Sequence, residues 1–160
     1  MDLKIQEMID YTNWERGLWR TWFLGMGKAP LEVSTGGERL KTVADLIQHI
    51  YAAEIRYIQR LKGEPLTPYS RIPKDSAEEL FNFGDESRLV LQEYVDGALD
   101  WSKQYQLNIV NFQVRTSLRK LIIHILMHEV RHWAQVALLL RSAGFHDLGA
   151  HDFLDSDAIT

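Results

Sequence analysis

The chain has no cysteine among its 160 residues. Disulfide bonds, thiolate catalysis and cysteine-ligated zinc sites are therefore excluded, and a reducing compartment is favoured. No apolar run approaches the ~20 residues that a membrane-spanning helix needs. Lys and Arg total 18 against 22 Asp and Glu, and this net charge of −4 argues against nucleic acid as a partner. Because residues 1–10 lack the basic start and apolar run of a signal peptide, we expect a cytoplasmic protein without membrane or nucleic-acid partners.

Helical periodicity dominates the sequence. Apolar residues make up 46% and charged residues 25% of the chain, an ordinary globular mixture, and the length predicts a single domain over residues 1–160. Apolar side chains recur at three- and four-residue steps in four long segments, which predicts four amphipathic helices. We place these helices at residues 2–24, 42–62, 76–104 and 117–143.

Local signals support this division. The second and third helices begin at Thr42 and Ser76, each followed three residues later by an acid, as in a capping box. The segment 64–75 contains three prolines and is too long for a tight turn. We therefore interpret it as a crossover connection. Residues 105–115 are predicted to be extended. The expected fold is all-α, a four-helix bundle with one long connection between helices two and three.

Three histidines lie at four-residue steps on the last helix, at His124, His128 and His132. Each step rotates the side chain by only ~40° and advances it by ~6 Å, so neighbours can share one metal ion. The outer two are ~12 Å apart, too far for all three to converge. On a helical projection His128 and His132 fall in or beside the apolar arc, whereas His124 falls towards the flank.

A fourth histidine, His49, lies on the second helix just beside its apolar stripe. A bundle can direct a ligand from such a position across the groove between two helices. His146 and His151 follow the last helix and are expected to be surface or tail residues. A histidine on a helix is more often a hydrogen-bonded or surface residue than a metal ligand, so the pattern alone leaves both interpretations open.

The histidines belong to a longer pattern. Residues 124–135 read HILMHEVRHWAQ, residues 140–144 read LRSAG, and YTNW near the start and DFL near the end complete the set. This order and spacing resemble the DinB/YfiT-like superfamily, whose motif is H-x3-H-x3-H-R-G-Q with a further His in helix two. The resemblance covers essentially the whole chain. Trp133 and Ala134 stand where the family pattern has Arg and Gly.

The resemblance implies a fold and a site. The family fold is an up-down-down-up bundle with a long crossover after helix two. Its metal ligands correspond to His49, His128 and His132. Three imidazoles leave a position on a divalent ion open for water or substrate, and zinc or nickel suits them equally.

Other residues are candidates for roles around such a metal. Glu129, on the core face of the last helix, is a candidate to orient a ligand's ring N–H group or to act as general base. The alternative is a buried ion pair with Arg16 or Arg56. Gln135 is expected to line the pocket. Tyr11, Trp14 and Tyr57 are candidates for its apolar wall, although aromatic residues at helical spacing usually belong to the core.

Characterised members of the resembled family include thiol-dependent S-transferases and a thiol-dependent isomerase. The resemblance therefore implies a metal-dependent transferase that joins a low-molecular-weight thiol to an electrophile. The alternatives are a metal-dependent hydrolase and a non-catalytic metal- or ligand-binding protein of a stress response. Five tryptophans, Trp19 among them, exceed what a small core needs and favour a homodimer that buries some of them.

Overall fold

The computed structural model describes residues 4–98, 100–109 and 112–158. Within this part of the chain, no helix is both long enough and apolar enough to cross a membrane. The main elements of the described residues are four long helices and one antiparallel pair of strands, and three short 3-10 helices lie outside them. The long helices and the strands are α1 (Ile5–Met26), α2 (Val43–Lys62), α3 (Ala77–Asp96), β1 (Gln104–Ile109), β2 (Phe112–Ser117) and α4 (Leu118–Ser142).

The helices pack in pairs around a shared core. α1 and α2 each pack against both α3 and α4. This arrangement is consistent with the predicted four-helix bundle, and the up-down-down-up order stays a prediction. The core has one cluster that contains the aromatic residues Trp19, Tyr51, Phe81 and Trp133 among aliphatic ones, and a second, aliphatic cluster that includes Ile122.

Two of the five tryptophans are buried within the single chain, and the other three are partly exposed. Trp19 and Trp133 are both 0% exposed, and their rings stack with centroids 5.4 Å apart. Trp19 therefore gives no reason to expect a partner chain that buries it. The homodimer stays a prediction.

The predicted helix starts correspond to observed caps. The Thr42 hydroxyl accepts a hydrogen bond from the Asp45 N–H at 3.2 Å, and the Asp45 carboxylate accepts one from the Thr42 N–H at 3.0 Å. This reciprocal box is as predicted. At α3 the Ser76 hydroxyl accepts from the Glu79 N–H at 3.1 Å. No return bond to the Ser76 N–H is found among the described hydrogen bonds, so only half of the second predicted box is formed.

The prediction that helix three continues to residue 104 is wrong, because α3 ends at Asp96. Ala98 and Trp101, which prolonged the apolar rhythm, pack against the aliphatic cluster from the segment that follows the helix. The burial pattern thus continues although the helix does not. The extended segment predicted over 105–115 is confirmed for residues 105–109 and 112–115, which lie in paired strands with Leu107 opposite Val114; residues 110 and 111 lie outside the described residues. The fold is therefore mostly helical but not purely all-α.

A close approach of α2 to α3 depends on a glycine. A Cβ atom at Gly84 would lie 2.5 Å from Cζ of Tyr51, whose ring is fully buried. The Gly84 carbonyl also accepts a hydrogen bond from Arg16 of α1 at 2.8 Å. Three helices therefore meet at this position, close to the charged residues described below.

Candidate metal centre

Three histidines from two helices converge at one place in the bundle. His49 comes from α2, and His128 and His132 come from successive turns of α4. One ring nitrogen from each lies within 4.8 Å of those of the other two, and the Nε2 atoms of His128 and His132 are 3.0 Å apart. The three predicted ligands thus form a group that could hold a metal ion.

His124, which the projection placed towards the flank, lies outside this group. Its side chain is exposed, and its ring packs edge-on against Tyr57 with centroids 5.6 Å apart. Its ring centroid is 5.9 Å from that of His128, compared with 4.3 Å between His128 and His132. The helical drift of the i, i+4 series therefore separates it from the cluster, as the sequence predicted.

Two hydrogen bonds orient the imidazole rings. The Gln135 side-chain oxygen lies 2.6 Å from His132 Nδ1, and because an amide oxygen can only accept, Nδ1 carries the proton. The Tyr69 hydroxyl lies 3.1 Å from His49 Nδ1. When both Nδ1 atoms donate, both Nε2 lone pairs are free for a metal. Gln135, expected to line the pocket, thus contacts a predicted ligand directly.

The contact of Tyr69 with His49 was not predicted from the sequence. Tyr69 lies in a short helical turn, Tyr69–Arg71, of the proline-containing connection between α2 and α3. Twenty residues separate it from His49, and no periodicity links the two. The only available signal was an aromatic hydroxyl in a connection too long for a simple turn.

The surroundings favour neutral imidazoles. Burial, followed by the neighbouring His132 ring, lowers the pKa of His49 to about 4 and that of His128 to about 3. Burial likewise lowers the pKa of His132. Since a metal binds the neutral ring, all three are in the required protonation state at neutral pH before any ion arrives.

The cluster borders an apolar cavity of about 430 Å³. His132 and Gln135 contribute polar atoms to its wall, while Leu40, Leu46 and Leu138 contribute apolar surface. A small molecule with an apolar portion could therefore lie beside the His132 ring.

Glu129 occupies the centre of a buried ion-pair network. Its side chain is 1% exposed and accepts hydrogen bonds from Arg16, Arg88 and, at 3.1 Å, the Trp133 indole. Both arginines also pair with Glu54, each at 3.0 Å. Burial acts to raise the pKa of Glu129, but Arg16 and Arg88 outweigh it and lower that pKa.

These contacts correspond to the ion-pair interpretation of Glu129, with Arg16 as a partner. Among the described residues, Arg56 takes no part in the network. A role for Glu129 in orienting a ligand or as general base stays a prediction. The network also gives Trp133 a structural role. Its indole ring packs in the core, and its N–H group donates to the buried Glu129 carboxylate.

Tyr11 and Trp14, two candidates for the apolar wall, do not line the cavity beside His132. Tyr11 stacks near Trp14 and meets Phe153 of the C-terminal segment edge-on, with centroids 4.8 Å apart. His151 lies in the segment after α4, as expected, but its side chain is packed into the fold and not exposed at the surface. Its ring stacks on Trp19 at 4.2 Å, and its Nε2 donates to the Leu148 carbonyl at 2.8 Å.

Comparison with models of protein families shows which family the chain belongs to. The model of the DinB family matches residues 1–157. The chain belongs to the DinB family. No curated protein matches the chain at a significant level. The family match covers all three clustered histidines of this DinB family protein, together with Gln135 and Tyr69, which contact two of them.

Proposed function

We propose that this DinB family protein binds one divalent metal ion through His49, His128 and His132, and is a metal-dependent enzyme. The observation that carries the proposal is the convergence of three histidine side chains from two helices, with one ring nitrogen of each within 4.8 Å of those of the other two. Imidazole ligands suit zinc or nickel. Three protein ligands with an open position are typical of catalytic rather than structural zinc sites.

The side chains around the site would each have a distinct role. Gln135 and Tyr69 fix the ring orientations of His132 and His49 through their Nδ1 atoms. Leu40 and Leu138 supply apolar surface to the cavity that His132 lines. A bound ion would supply Lewis-acid activation of a substrate sulfur or oxygen at its open position.

We further propose that the reaction is the transfer of a low-molecular-weight thiol to an electrophile. Family membership supports this reaction class, and the cavity of about 430 Å³ offers space for an apolar acceptor. With a chlorinated acceptor, the thiol sulfur forms a bond to carbon, the carbon–chlorine bond breaks, and chloride and the thiol proton are released. With an epoxide, the sulfur forms a bond to a ring carbon, the carbon–oxygen bond at that carbon breaks, and the oxygen takes up the thiol proton to become a hydroxyl group.

Metal analysis of purified variants tests the site. We expect about one ion per chain in wild type, and at least a tenfold lower content in His49→Ala and His128→Ala. His124→Ala is the matched control, since it removes a histidine of the same helix from outside the cluster, and it should keep the wild-type content. Equal metal content in all four proteins would refute the assignment.

An activity assay tests the reaction. The metal-loaded protein is mixed with several small thiols and a chlorinated or an epoxide acceptor, and free thiol is measured over time. We expect consumption of at least one thiol that depends on the metal and is lost in His128→Ala. If no thiol is consumed in any combination, the transferase proposal fails and a non-catalytic binding role is favoured.

A further inference from the structure

A second cavity lies further along α2 from the histidines. It has a volume of about 530 Å³ and is bordered by α2, the connection that follows it and the β-hairpin. Arg56 and Arg60 supply its charge, and Leu66, Ile109 and Phe112 supply apolar surface. No acidic residue lines the cavity within the described part of the chain.

Both guanidinium groups are held in position. Arg56 lies over the Tyr69 ring, 5.0 Å from its centroid. Arg60 lies 5.6 Å from the centroid of Tyr57, and it donates to the backbone carbonyls of Asn108 at 3.3 Å and of Arg56 at 3.2 Å. These contacts leave other guanidinium N–H groups available to a ligand, because an arginine has five.

The two charges repel each other and lack a counter-ion. Burial, followed by the charge of Arg56, lowers the pKa of Arg60. Among the ion pairs of residues 4–98, 100–109 and 112–158, none includes Arg56 or Arg60. Adjacent, partly buried cations without an acid nearby favour the binding of an anion.

The arginines share a helix face with the metal centre. Arg56 and Arg60 follow His49 by seven and eleven residues, so they project within ~20° of it, at ~10 Å and ~16 Å along the axis. Tyr69 connects the two places, because its hydroxyl contacts His49 while its ring face contacts Arg56. A single extended small molecule could reach from one to the other.

We infer that Arg56 and Arg60 form an anion-binding subsite that takes a carboxylate or phosphate group of a small-molecule substrate. The apolar wall at Leu66, Ile109 and Phe112 suits the carbon chain next to that group. Only the position of the substrate's reactive end, at the histidines, rests on the proposed function. The anion site itself is independent of the metal.

The test is a titration of metal-free protein with inorganic phosphate and, separately, with acetate, at constant ionic strength. Arginine Nε–Hε signals in an NMR spectrum report the binding. We expect the signals of Arg56 and Arg60 to shift, and the dissociation constant of the tighter anion to rise at least fivefold in Arg56→Gln and in Arg60→Gln. Arg119→Gln, which changes an exposed arginine of α4, is the matched control and should bind as wild type does.

Two further measurements separate the possible failures. Urea midpoints of both variants should stay near the wild-type value, since each arginine lies at the partly exposed surface, where loss of such contacts usually changes stability little. Weaker binding will then not reflect unfolding. His128→Ala should lose metal but keep phosphate binding. Equal dissociation constants in wild type, Arg56→Gln and Arg60→Gln would overturn the subsite, even if the metal binds as proposed. If the protein binds no metal but its two arginine variants bind phosphate more weakly than wild type, the metal proposal fails and the anion subsite stands.

Discussion

Replacing Glu129 with Gln should strongly destabilise the protein. The buried network contains two positive charges, Arg16 and Arg88, and two negative charges, Glu54 and Glu129, and all four side chains are at most 8% exposed. The substitution leaves one uncompensated positive charge in the core. Removal of one partner from a buried ion pair costs about 3–5 kcal/mol. Because domains are stable by about 5–15 kcal/mol, this is a large part of the total.

Urea unfolding followed by tryptophan fluorescence at pH 7 measures this loss. Glu86→Gln, an exposed change on α3, is the matched control and should shift the midpoint little. The double variant Glu129→Gln, Arg88→Gln removes one charge of each sign and should be more stable than the sum of the two single changes implies. A loss below about 1 kcal/mol in Glu129→Gln would refute the view that this network is a buried structural centre.

The same variant distinguishes the two interpretations of Glu129. If its carboxylate only balances Arg16 and Arg88, the folded variant should retain wild-type metal affinity. A residue that orients a metal ligand typically contributes 10- to 100-fold to affinity. Such a loss in Glu129→Gln, measured under conditions where the variant is folded, would assign it that role instead.

Three other changes have defined outcomes. Gly84→Ala should lower the free energy of unfolding by about 1–3 kcal/mol in urea titrations, because its new methyl group overlaps the buried Tyr51 ring. Burial, followed by the charge of Glu129, raises the pKa of Glu15 from 4.5 to about 8. The contribution of Glu15 to stability is therefore fully present below pH 4.5 and lost as the pH rises through 8. In Glu15→Gln, the free energy of unfolding from urea titrations should fall less between pH 4.5 and 8 than it does in wild type. Tyr69→Phe should weaken metal binding about tenfold by competition with a chelator, since His49 Nδ1 loses its partner; an unchanged affinity would contradict the proposed orientation of that ring.

The sequence was most informative where the cause of structure is local. The capping box at Thr42 and Asp45 lies within four residues, and the pairing of His128 with His132 follows from the pitch of one helix. The choice of this pair over His124 likewise needed only helical geometry. His49 was less certain from its helix alone, and the family pattern selected it.

Local reasoning failed where distant segments decide the outcome. The end of α3 at Asp96 was missed because Ala98 and Trp101 remain packed against the core after the helix has ended. The position of His151 was missed because its environment is Trp19, far away in sequence. In each case burial is created by tertiary packing that has no period along the chain.

The sequence by itself determined four amphipathic helices and the three histidines that now stand together. Only the tertiary structure decided which groups surround them. Tyr69 reaches His49 from the connection, and Glu129 meets Arg16 and Arg88 from two other helices. The physical reason is that helical periodicity fixes the face on which a side chain lies, whereas its partners depend on how separate helices and connections pack.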